Sequence, residues 1–125
     1  MTFEGLKYIA DLMDGLSIPY AFMMWEDKPP EDRYFVGEFI DDAMTTMEED
    51  GRQDITFILR GYTRGDYALL MQDAEAIKRN LPQTAILPDG TGIAVYYAGS
   101  VPIRTADMQL KSIKTNLKIK EWSVT

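Results

Sequence analysis

Two short acidic runs, Asp41-Asp42 and Glu48-Glu49-Asp50-Gly51, are where this sequence comes nearest to a pattern that could hold a metal. Carboxylates are the ligands that hard cations select, and an acid-rich stretch ending in glycine invites comparison with a calcium loop. Placing Asp50-Gly51 at the fifth and sixth loop positions puts Thr46 first and Phe57 last, where acids are required. The pattern fails, and a solvated acidic loop is the simpler assignment. Gly90-Thr91-Gly92 has no third glycine at dinucleotide spacing, no Lys-Ser or Lys-Thr after it and no helix opening behind it, so it reads as a hairpin turn and not as a phosphate cradle. Ser17, Ser100, Ser112 and Ser123 have no histidine to activate them. Lys111 and Ser112, as neighbours on a strand, point to opposite faces. Paired-carboxylate hydrolysis needs only two acids and a cleft, but no spacing singles out such a pair.

The composition closes off further chemistry. The 125 residues include no cysteine and no histidine, which removes disulfides, thiolate nucleophiles, thiolate metal sites and the usual acid/base group near neutral pH. The sequence therefore predicts no catalytic residue, no cofactor and no metal. A net charge of −7 argues against tight nucleic-acid binding, which draws its affinity from clustered Lys and Arg. The charge is unevenly spread. Residues 26–54 carry eleven acids against Lys28, Arg33 and Arg52, whereas residues 101–125 carry Arg104, Lys111, Lys114, Lys118 and Lys120 against Asp107 and Glu121. Hydrophobic content of 46% beside 26% charged residues is ordinary for a chain that folds. The longest apolar run, residues 20–25, is far below the ~20 residues of a membrane span, and the start lacks a basic, apolar signal pattern, so no membrane association and a cytoplasmic site of synthesis and assembly are expected.

The elements that would position these residues follow from periodicity. Phe3, Leu6, Ala10 and Met13, widened by Ile9 and Leu12, predict a helix over 3–16, with Gly15 available as its cap. Residues 20–26 and 34–40 read as strands joined by a proline-bearing loop, hence as an antiparallel hairpin. Residues 41–53 read as a loop or irregular strand extension. In 54–63, Ile55, Phe57 and Leu59 alternate against Thr56, Ile58 and Arg60. A helix over 67–81 follows, with Tyr67, Leu70, Ala74, Ile77 and Leu81 on one face, a capping box at Thr63 and Asp66, and Pro82 as its stop. Strands are expected at 93–98 and 101–105, separated by a turn at Gly99-Ser100. In 112–122, Ile113, Leu117 and Ile119 alternate with Lys114, Asn116, Lys118 and Lys120. The sum is one α+β domain over 1–125, a mainly antiparallel sheet with two helices on one face. Of the methionines, Met13 and one of Met23 and Met24 are expected in the core; the other, with Trp25, Tyr34 or Trp122, falls on a face the helices leave open, an interface composition.

The order of these elements, from residues 34–50 through Ile55-Thr56-Phe57-Ile58-Leu59-Arg60-Gly61-Tyr62-Thr63-Arg64-Gly65 into the 67–81 helix, then Val101-Pro102-Ile103-Arg104-Thr105 and the strand from Leu110 to Ile119, resembles the tail-terminator proteins of long-tailed bacteriophages and related prophage minor structural proteins. The resemblance is one of layout, over about residues 3–124. It implies a non-catalytic virion protein, assembled in the bacterial host cytoplasm as a ring of six copies. Such a ring ends the tail tube at its head-proximal end, contacts the tail-tube protein and a head-completion protein, and lets DNA pass through. Head-closure or minor capsid proteins, and a small carboxylate-based enzyme or binding module, are the alternatives. A ring of identical subunits needs two complementary surfaces on each chain. The basic last strand, with Lys114, Lys118, Lys120 and Trp122, is expected to meet the acidic segment of the next copy, with Asp41, Asp42, Glu48 and Glu49; charges would set the register while methionine and aromatic contacts hold it.

Overall fold

The computed structural model of the chain describes residues 1–42 and 53–123. Helix α1 spans Phe3–Gly15, and strands β1 (Tyr20–Phe22), β2 (Tyr34–Asp41) and β3 (Gln53–Thr63) follow it. Helix α2 (Ala68–Arg79), β4 (Gln83–Ile86), β5 (Thr91–Ile103) and β6 (Lys111–Ser123) complete the chain. Among the described residues one sheet forms in the order β1-β2-β3-β6-β5-β4, antiparallel at every junction except β1 with β2.

The alternation read in β3 and β6 sets the two faces of this sheet. Ile55, Phe57 and Leu59 pair with Ile119, Leu117 and Thr115, and all six are fully buried. Both helices lie on that face: α1 contributes Ile9 and Met13, and α2 contributes Leu70, Ala74 and Ile77, to one core with Phe35, Val95 and Ile113. A fully buried aliphatic or aromatic side chain stabilises by about 1.5–3 kcal/mol, so this face holds the fold together. Thr2 caps α1 by accepting from the Gly5 N–H, and its own hydroxyl donates to the buried Glu121 carboxylate at 2.6 Å, which seats the start of α1 on the end of β6.

Several local expectations give way to longer-range pairing. Residues 20–26 do not form an antiparallel hairpin with 34–40. Strand β1 ends at Phe22, Met23 takes φ +68°, and the connection doubles back so that the Phe35 N–H donates to the Pro19 carbonyl in a parallel pair. Met23 and Met24 are both exposed, against the expectation that one is buried, because the strand that would have alternated them has ended. Thr63 caps no helix: its hydroxyl bonds the Asp32 carbonyl and accepts from the Gly65 N–H, and α2 starts at Ala68, whose N–H is taken by Asp66 Oδ1. Gly99-Ser100 is not a turn between strands but a bulge within β5, where Gly99 adopts φ +117° and the register against β6 shifts. Strand β4, unforeseen in the sequence, closes the far edge. The segment read as a loop begins later than expected, since Asp41 still belongs to β2 and Asp42 donates its N–H to the Asp54 carbonyl; residues 43–52, with Glu48 and Glu49, lie outside the described residues.

Candidate assembly interface

The face of the sheet away from the helices carries Lys114, Asn116, Lys118, Lys120 and Trp122 of β6, beside Thr56, Ile58, Arg60 and Tyr62 of β3 and Tyr34, Glu38 and Ile40 of β2. It is half-solvated. Ile58 and Ala94 are buried without a covering helix, screened by the long side chains around them. Arg60 Nε donates to Glu38 Oε1 at 2.9 Å across the β2–β3 pair. Tyr34 stacks near Tyr62, ring centroids 5.4 Å apart, and Trp25 of the β1–β2 connection meets Tyr34 edge-on at 6.1 Å.

The residues expected to join two subunits are distributed as follows. Lys118 Nζ lies 3.1 Å from Asp42 Oδ2 and 3.0 Å from Thr56 Oγ1, so this basic and this acidic residue meet within one chain. Asp41 points to the opposite face, where its carboxylate accepts from the Met1 amine at 2.6 Å. Lys120 stands across from Asp54, and Lys114 between Arg60 and Val101. Trp122 lies over Gly92, where a Cβ would collide with the indole ring. The open face thus carries Lys114, Lys120 and Trp122, each half-buried, beside the more exposed Lys118, whose charge is met by Asp42.

Apolar side chains are also exposed away from this face. At the β1 edge, Met23 and Met24 are 60% and 68% exposed. On the β5 side, Met71 of α2 is 57% exposed and borders a groove of about 910 Å³ whose other wall includes Tyr97, Pro102 and Ile113. Sequence reading missed this groove. Its one available signal was Met71, an apolar residue off the Leu70-Ala74-Ile77 stripe of α2. Among the described residues no three carboxylate side chains converge as a cation site would need.

No protein-family model matches the chain, and no curated protein matches it. Among solved structures, a chain of the virion of a native gene transfer agent particle is similar, with a TM-score of 0.68 at 14% identity over 91% of this chain and 86% of that one. A second solved chain is similar at a TM-score of 0.61 and 13% identity, over 92% of this chain and 88% of the other. At such identities the likeness is one of fold.

Proposed function

We propose that this chain is a structural protein of a phage-type virion and, within that class, a tail terminator. In that role copies of it form a ring, six by the resemblance of layout, on the head-proximal end of the tail tube, with the tube protein on one side and a head-completion protein on the other. The observation that carries this reading is the fold held in common, over nearly the whole length of both chains, with a protein of a gene transfer agent virion. The role is one of shape and contact, with no catalytic group and no cofactor. The surface chemistry suits it: outward lysines and Trp122 on the open sheet face offer a partner both charge and an aromatic anchor, and the net charge of −7 suits a channel through which DNA must slide without being held.

Light scattering on a size-exclusion column, followed by negative-stain imaging, tests the reading. A closed ring whose lumen is wide enough for duplex DNA, together with a gene position between head-completion genes and the tail-tube gene, is the expected result. A strictly monomeric protein across the micromolar range, encoded among metabolic genes, would remove it.

A further inference from the structure

Among the exposed apolar side chains, which also include Phe3, Ile86 and Met108, two sets sit on opposite edges of the same sheet and differ in shape: the Met23-Met24 pair and the surroundings of Met71. At the β1 edge, Met23 and Met24 project from the point where the strand ends, at the head of a connection that carries Glu26, Asp27, Glu31 and Asp32. Lys28 is occupied by Glu31 and Arg33 by Asp32 and Asp73, which leaves Glu26 and Asp27 in no ion pair among the described residues. At the other edge, β4 pairs with β5 only along residues 92–95, so the outer side of β5 from Tyr96 onward has no neighbouring strand among the described residues. Helix α2 overhangs that uncovered stretch and forms the groove, with Met71 and Ala74 on one wall, Tyr97 and Pro102 on the other, and Ile113 among its lining. Lys78 and Arg79 rim it, both exposed and in no ion pair among the described residues, beside the one acid Glu75, with Lys78 Nζ 5.7 Å from the centre of the Tyr97 ring.

We infer that the groove between α2 and β5 receives the Met23-Met24 projection of a second copy of this chain, with Glu26 and Asp27 of that copy against Lys78 and Arg79. The inference rests on the self-association proposed above and names its lateral contact. One edge is an apolar projection followed by Glu26 and Asp27, and the other an apolar recess whose charged lining is Lys78 and Arg79 against the single acid Glu75, so neither edge matches itself and each matches the other. A contact of that kind is head-to-tail, and it closes into a ring when the rotation between copies allows. Methionine suits the part, because its unbranched and polarisable side chain adapts to an irregular recess. The charges at the rim select orientation, while the buried thioethers and aliphatic walls supply the holding contact. Two methionines on one edge, a recess on the opposite edge, and a net excess of acids beside the first and of bases beside the second pair the two edges.

The test uses two variants, each disabling one half of the contact. Met23→Asp with Met24→Asp blocks the projection and is compatible with the backbone, since aspartate tolerates the positive φ at position 23. Met71→Glu blocks the recess at an exposed helix position. Thermal melts establish that both fold, and light scattering reads their mass. Each variant alone is expected to run at single-chain mass while the parent assembles. Mixed one to one, they are expected to give a species of two chains and nothing larger, because the intact projection of one fits the intact recess of the other and the remaining ends are both blocked. Variants that assemble like the parent would overturn the contact while leaving self-association standing. A mixture that stays monomeric would also overturn it, since a contact made elsewhere could not be restored in this way. A parent that never associates would remove both this contact and the ring.

Discussion

Arg33 Nε donates to Asp73 Oδ2 at 2.9 Å, and its Nη2 to Asp73 Oδ1 at 3.2 Å, in a two-pronged bond between the β1–β2 connection and helix α2. The pair joins the segment that carries Met23 and Met24 to the helix that walls the groove, so a single ion pair helps set the geometry of both edges. The Asp73 side chain is 10% exposed and that of Arg33 21%. Fork-to-fork geometry of this sort orients as well as binds.

Removing Asp73 takes away the two-pronged partner of Arg33 and leaves its charge only the more exposed Asp32 carboxylate, 3.3 Å away. Asp73→Ala is expected to destabilise the chain by roughly 2–3 kcal/mol, below the ~3–5 kcal/mol of a fully buried pair because Arg33 retains some access to water. Urea unfolding at neutral pH measures it. A loss under about 0.5 kcal/mol would mean that the connection is held by its backbone contacts instead.

Lys118 is 53% exposed and Asp42 33%, so their ion pair belongs to the surface class, worth about 0–1 kcal/mol. Lys118→Ala should therefore shift stability by less than about 1 kcal/mol. Lys118→Glu should cost more than Lys114→Glu, because it sets a second carboxylate beside Asp42 whereas position 114 stands across from Arg60. The clean probe of the open face is Lys114→Glu, whose cross-strand neighbours are Arg60 and Val101, expected to melt like the parent while weakening association with copies or virion partners. Unchanged assembly at matched salt and concentration would reduce that face to a solubilising surface.

Trp122 rests against Gly92, with no room for a Cβ between them. Gly92→Ala is expected to push the indole off the β5 strand and move its emission toward that of a solvated tryptophan. Fluorescence in a Trp25→Phe background isolates the effect. An unchanged spectrum would show that the backbone yields instead of the ring.

The connections should loosen in acid. The Asp32 carboxyl is held below its ordinary range chiefly by the Arg33 N–H, and that of Asp107 chiefly by the Gln109 N–H, with the Arg64 guanidinium 2.9 Å away adding to it. A carboxyl with a depressed folded-state pKa stabilises fully above its unfolded value and loses that contribution as pH falls through the folded value. Melting temperature should accordingly decline below the normal aspartate range, and Asp32→Asn with Asp107→Asn should flatten that decline. A parent and a double variant with parallel acid limbs would contradict the assignment.

Alternation and helical spacing were legible in the residues themselves. Ile55, Phe57 and Leu59 against Ile113, Leu117 and Ile119 marked the buried face, the Leu70-Ala74-Ile77 stripe marked α2, and Lys114, Lys118 and Lys120 of β6 fell where expected, away from the helices. Period alone assigns a side chain to a face, because it depends only on the local backbone repeat. It cannot assign a strand to a neighbour. That β1 runs parallel to β2, that β4 closes the edge, that Thr63 bonds Asp32 instead of capping α2, and that Lys118 finds Asp42 across 76 positions are decided by distant segments meeting over a common core. The groove beside Met71 exists only once α2 overhangs the uncovered edge of β5, so no window of sequence contains it.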